Sequence, residues 1–181
     1  MRTTDVRPTG VERSFGDDQI IVSKTDTRGV LTYVNELFVE ISAYPEHELL
    51  GRPHNVIRHP DMPRCVFKLL WERISSGSEL FAYVVNLAAD GAHYWVLAHV
   101  TPTRDASGRI IGYHSNRRTA CPQALDRIQP LYGALLAEER RHDHAPSAID
   151  ASGTLLRSEL DLLGVTYDEF VWSLEPAQET K

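Results

Sequence analysis

Three β-rich runs in the middle of the chain, Leu80–Leu87, Tyr94–Thr103 and Arg109–Arg118, are separated only by Asp90-Gly91 and Asp105-Ala106-Ser107-Gly108. Short turn signals between strands of this kind specify an antiparallel meander, and this constrains the fold more than any other feature of the sequence. Upstream, Ile20-Ile21-Val22 and Val30-Leu31-Thr32-Tyr33-Val34 flank Lys24–Gly29 and read as a hairpin around a glycine-containing turn. Between hairpin and meander the period changes. Asn35 is a good N-cap for a short helix whose Leu37, Phe38 and Ile41 share a face, and Pro45 and Gly51 bracket a second. Val66, Phe67, Leu69, Leu70, Trp71 and Ile74 recur at helical spacing until Ser75-Ser76-Gly77, marking the longest helix of the core. Two strands, several short helices and three strands predict an α+β fold, a five-stranded antiparallel sheet with helices on one face.

The flanks differ from this core. Residues 1–18 lack periodicity and read as a flexible N-terminal arm, the core covers 19–118, and 122–174 read as a helical extension. In that extension Leu125, Ile128, Leu131, Tyr132, Leu135 and Leu136 form one amphipathic stripe, Ala145-Pro146-Ser147 a turn, and Ile149, Leu155, Leu156, Leu160 and Leu163 a second stripe ending at Gly164. Thr166 and Glu169 make a capping-box pattern for a last helix with Tyr167, Phe170, Val171, Trp172 and Leu174. Such stripes can cover the sheet, form a helical hairpin or pair with another subunit, so a homodimer is expected.

At 181 residues and 42% hydrophobic content, one domain with an appendage can bury a core. The net charge of −6 offers no basic field for nucleic acid or an anionic membrane. Nowhere do about 18 apolar residues follow one another, and Met1–Asp18 lacks a signal-peptide core, so the expectation is a cytoplasmic protein without membrane insertion. Cys65 and Cys121 form neither a CxxC pair nor a ligand cluster, which argues against a disulfide framework or a zinc site. No Ser-His-Asp set, HExxH or P-loop points to an enzyme.

The hexapeptide Arg58-His59-Pro60-Asp61-Met62-Pro63 packs two basic groups, a carboxylate and two prolines between helical patterns. Each proline fixes its own φ and pushes the residue before it toward extended geometry, so Arg58, His59 and Asp61 point in fixed directions, as a ligand site requires. This run, with Asn35-Glu36-Leu37-Phe38, Pro53-His54-Asn55, Trp71, Asn86, His93-Tyr94-Trp95-Val96 and Gly112-Tyr113, resembles the PAS sensor domain of bacterial aerotaxis receptors over residues 19–118. The resemblance implies a PAS fold holding noncovalent FAD, with redox state relayed to a chemotaxis apparatus and flavin-binding roles on Arg58, His59, Asp61 and Trp71. Here the signalling partner, a chemoreceptor or kinase, would act in trans.

The residues themselves suit a flavin in part. Trp71 could wall its ring, Asn86 pair with its amide edge, Arg58 and His59 meet its phosphates, and Asp61 hold Arg58 or His59 in position. His54 and Asn55 join this candidate set. Each also has a plainer role: Trp71 as core packing, Arg58 and Asp61 as a loop ion pair, Asn86 as a cross-strand residue, His54 and Asn55 as helix caps. Leu87-Ala88-Ala89 follows Asn86 where the aerotaxis pattern carries basic residues, which weakens FAD relative to a smaller flavin. A haem sensor using His59, His93, His99 or His114, and a cofactor-free interaction module, are the competing readings.

Overall fold

Side chains alternate across a strand, so the register between strands decides which residues share a face. The computed structural model describes residues 6–175, and its contacts divide the chain into two units, Met1–Pro60 with Trp71–Thr119 and Asp61–Leu70 with Ala120–Lys181.

In the first unit, strands β1 (Ile21–Thr25) and β2 (Leu31–Val34) form the expected hairpin. Strands β3 (Leu80–Leu87), β4 (His93–Arg104) and β5 (Ile110–Thr119) form the meander. They join into one five-stranded sheet of order β2-β1-β5-β4-β3, every pair antiparallel. The expected architecture stands. Local chemistry explains the hairpin turn: Asp26 Oδ1 accepts from Arg28 N at 2.8 Å and Val30 N at 2.9 Å, and Gly29 takes φ +78°, a conformation that side chains disfavour. Those bonds hold the Asp26 carboxyl below its usual range.

Helix α1 (Glu36–Ser42) begins as its sequence indicates. Asn35 Oδ1 accepts from Phe38 N at 3.1 Å and from Val22 N at 2.9 Å, so a single amide caps the helix and ties it to β1. The helix buries Phe38 and Ile41. Burial of a side chain such as Phe38 stabilises by roughly 1.5–3 kcal/mol. Helix α2 (Glu46–Leu49) has Pro45 at its N-cap, and a single 3-10 turn covers His54–Ile57.

Part of the expected arm is paired, while its residues 1–5 lie outside the described ones. Thr9 N donates to Gly91 O at 2.9 Å, His93 N to Val11 O at 2.9 Å, and Arg13 N to His93 O at 2.8 Å, so residues 9–13 run along the start of β4. The Arg13 side chain pairs with Asp90 and donates to Ile41 O at 2.7 Å. Backbone pairing of this kind needs no apolar periodicity, which is why composition alone suggested a free arm.

In the second unit, helix α4 (Pro122–Glu139) starts on a proline, and α5 (Ala145–Leu163) starts at the segment expected to be a turn. Pro146 lies in the first turn of α5, where its missing N–H has no helical partner to lose. Helix α5 ends at Gly164, and α6 (Tyr167–Ser173) opens with the capping box of Thr166 and Glu169. Helix α3 (Arg64–Ser75) crosses the division, its Arg64–Leu70 part grouping with this unit and its Trp71–Ser75 part with the sheet. Buried Glu139 caps the start of α3, accepting from Arg64 N at 2.7 Å, Cys65 N at 3.2 Å and Ser152 Oγ at 3.1 Å. Among the described residues no helix is long and apolar enough to cross a membrane.

Candidate functional site

Strand β5 carries the site. Register places Ile21, Arg117, Ala98 and Ala82 in one row across β1, β5, β4 and β3, and Ser23, Ser115, Val100 and Leu80 in the next row on the same face. Asn86 opposite Tyr94 shares that face. His114, Asn116 and Arg118 alternate onto the other face, so β5 carries polar groups on both sides.

Arg117 is buried, at 4% exposure. Its Nη2 donates to Ser23 Oγ at 2.9 Å and to His54 Nε2 at 2.5 Å, and its guanidinium lies 5.5 Å from the centre of the Phe38 ring. All three partners are uncharged, and no carboxylate pairs with Arg117 among the described residues. Burial, and then the neighbouring guanidinium, push the His54 imidazole down to about 3, so its Nε2 is an acceptor. Burial also draws Arg117 down to about 10, which leaves it protonated at neutral pH. The His54 ring reaches this position because its backbone N–H donates to Gly29 O at 2.9 Å, and Pro53 pairs with Val30 beside it.

Three polar atoms in this face are buried without a hydrogen-bond partner: Arg117 Nη1, Ser115 Oγ and Asn86 Nδ2. All three are donors, and a buried donor left unbonded costs about 1–3 kcal/mol. The alanines at 82 and 98 keep the sheet low between Arg117 and β3. The arrangement offers unbonded donors on one sheet face to a ligand rich in acceptors, the Arg117 cation beside Ser115 on β5, and Asn86 two strands away and four residues farther along on β3.

Two further groups border this face. Arg58 is extended, at φ −74° and ψ 123°, and its backbone pairs with Asn86, while buried His59 meets the His93 ring edge-on at 5.9 Å. Trp71, 39% exposed, packs edge-on against Tyr113 at 5.6 Å and against the hairpin turn, where a Cβ on Gly29 would lie 2.9 Å from Trp71 Cη2. Among the expected site residues, His54, Arg58, His59, Trp71 and Asn86 thus fall in the sheet unit. Asp61 falls in the other, with its carboxylate 3.6 Å from Arg140 and largely exposed. Asn55 is exposed, and its carbonyl accepts from Arg58 N at 3.1 Å. Met62 and Pro63 are buried, so the end of the hexapeptide serves packing. His99, stacked on Phe81 at 4.0 Å and 2.7 Å from Glu79, and His114, 2.9 Å from Asn116, lie on the opposite face of the sheet. Burial raises the Cys65 thiol above its usual range, which makes it a poor nucleophile.

Sequence reasoning missed Arg117, Ser115 and Ser23. Their signal was the inward alternation Tyr113, Ser115, Arg117, hidden because the intervening residues are polar as well.

Residues 31–117 match the family model for the PAS fold. The chain is 40% identical over 123 residues to the aerotaxis receptor of Escherichia coli (strain K12), an alignment covering 68% of this chain and 24% of that protein. It is 25% identical over 99 residues to a nitrogen fixation regulatory protein of Klebsiella pneumoniae, covering 55% of this chain and 20% of the relative. The chain therefore spans about a quarter or less of the length of these relatives. Among solved structures, the dark structure of the blue-light photoreceptor Aureochrome1 LOV superposes with a TM-score of 0.52 at 23% identity, covering 68% of this chain and 86% of that one.

Proposed function

We propose, from the membership of residues 31–117 in the PAS fold family, that this chain is a redox or oxygen sensor that binds FAD noncovalently and signals through a partner in trans. The supporting observation is the set of buried, unbonded donors on one sheet face, Arg117 Nη1, Ser115 Oγ and Asn86 Nδ2. The ring system of a flavin presents carbonyl and imine acceptors along its pyrimidine edge, and donors fixed before binding match that edge without reorganisation. In this reading Arg117 meets the acceptor edge, Asn86 meets a separate acceptor of the ligand, Trp71 with Tyr113 supplies aromatic surface, and Arg58 with His59 lies toward the phosphates. Asp61 and Asn55 are left outside the contact set because both are exposed.

Bound flavin would supply reversible electron transfer; the protein supplies orientation, exclusion of water and the charge that the ring experiences. Similarity to the aerotaxis receptor supports a chemotaxis-like output, through a chemoreceptor or kinase recognised by the helical unit. Leu162 and Leu163 on α5 and Trp172 on α6 are exposed, and they form the surface we assign to that partner or to a second copy of the chain.

The test is an absorbance spectrum of freshly purified chain, with the released chromophore identified by chromatography. A flavin spectrum bleached by dithionite and FAD in the extract are expected. A colourless protein that takes up no added FAD would refute the reading, and a Soret band would replace it with haem.

A further inference from the structure

A guanidinium moved out of water loses several kcal/mol of hydration, and proteins ordinarily offset this with a carboxylate. Arg117 has none. Its bonded partners are the Ser23 hydroxyl, the neutral His54 imidazole and the face of Phe38, and its Nη1 is bonded to nothing. The neighbouring positions in its row, Ile21, Ala98 and Ala82, are apolar, so an aliphatic side chain at 117 would suit the core better than a cation does. The surroundings also hold the guanidinium in place. Ser23 and His54 both bind Nη2, fixing the fork and leaving Nη1 as the available donor. A cation held rigid, dry and without an anion is an arrangement in which electrostatic attraction to an incoming negative charge is strong.

We infer that Arg117, positioned by His54 and Ser23, is the charge-selecting residue of the ligand site: the ligand supplies the missing anion, so the anionic reduced flavin binds more tightly than the neutral oxidised one. This inference rests on the flavin reading above. Two electrons from a donor and one proton from solvent convert the neutral oxidised ring to a reduced ring protonated at N5. N1 stays unprotonated, and the single negative charge is shared between N1 and the neighbouring carbonyl oxygen. A cation beside that edge gains little from the oxidised ring and much from the reduced one. By linkage, the preference raises the reduction potential of the bound flavin. Arg117 therefore sets the redox level at which the sensor changes state.

The experiment uses the full chain loaded with FAD, as wild type, Arg117→Lys and Arg117→Met, with dithionite as electron donor and mediator dyes to fix the potential. Three quantities are read: the midpoint potential, the dissociation constant of oxidised FAD, and the urea midpoint of the flavin-free chain. Arg117→Met is expected to lower the potential by about 30 mV for each tenfold of lost preference for the reduced form, with at least one such factor lost. The lysine variant, which keeps the charge without the fork, should retain more than half of the preference. Flavin-free Arg117→Met should unfold at the same urea concentration as wild type or a higher one, because it removes a buried charge without a counter-ion. An unchanged potential in both variants overturns the inference while leaving the flavin reading intact. A loss of stability in flavin-free Arg117→Met, with the potential lowered as far in Arg117→Lys as in Arg117→Met, assigns Arg117 to structure and likewise overturns it. Failure of the wild type to bind FAD refutes the flavin reading itself, and this inference with it.

Discussion

Replacing His54 by glutamine should remove most of the acid sensitivity of this fold near neutral pH. His54 is held neutral, its pKa depressed from 6.5 to about 3 by burial and then by Arg117. A base with a folded pKa below its unfolded one is protonated preferentially in the unfolded chain. Stability is then fully present above the unfolded value of 6.5 and falls as pH drops from there toward about 3. Between about pH 7.5 and about pH 5.0 the unfolded chain takes up nearly one extra proton, and integrating 1.36 kcal/mol per unit over that interval gives about 2 kcal/mol lost. Glutamine keeps a carbonyl acceptor for Arg117 and does not titrate in this range. The carboxyls of Asp26, Asp90, Asp105 and Glu138, all held below their usual values, lose their contribution at lower pH and do so in both proteins, so they cancel in the difference. Urea unfolding of flavin-free wild type and His54→Gln at both pH values measures the effect without ligand linkage. A wild-type chain that loses no more stability than the variant over this interval would refute the reasoning, since it would mean that His54 titrates normally in the fold.

Three other outcomes follow from the geometry. Gly29→Ala strains a φ of +78° and brings its Cβ to 2.9 Å from Trp71, so thermal denaturation should show a loss of about 1–2 kcal/mol, with weaker Trp71 fluorescence coupling to bound flavin. Glu139→Ala leaves the N–H groups of Arg64 and Cys65 without their acceptor and the hydroxyl of Ser152 with Ile149 O alone, and chemical unfolding should report a loss of about 1–3 kcal/mol; a value near zero would contradict the capping role. Asp61→Asn removes the charge from the exposed 3.6 Å pair with Arg140 in the helical unit, so stability should change by less than about 1 kcal/mol and FAD affinity by less than about threefold; loss of flavin would return Asp61 to the contact set.

Much of the fold was legible in the sequence because it rests on local rules. Asn35 before a helical stripe, Thr166 three residues before Glu169, Gly164 after the last leucine and the Gly29 turn are each read from neighbouring residues, and each holds in the structure. The two readings that local rules failed, the free arm and the turn at Ala145-Pro146-Ser147, fail for separable reasons. Residues 9–13 pair through backbone atoms that carry no side-chain signal, and proline is as much at home in the first turn of a helix as in a loop.

The candidate site divides along the same line. His54, Arg58, His59, Trp71 and Asn86 became candidates through residue type together with the resemblance to the aerotaxis PAS pattern, and the structure groups them with the sheet. Asp61, two residues after His59, falls instead beside Arg140, because direction along a proline-stiffened loop is settled by what each side chain finds to pack or pair with. Arg117 is the strongest case. In sequence, Asn116-Arg117-Arg118 reads as a polar strand end; the side-chain period of two fixes only that Arg117 shares a face with Ser115. Which face is buried depends on β1 pairing with β5 from more than ninety residues away, Ile21 opposite Arg117 and Ser23 opposite Ser115. The sequence by itself determined the strands, the helices and the parity of side chains along each. Only the tertiary structure decided that one of those parities would enclose an arginine with no carboxylate beside it among the described residues.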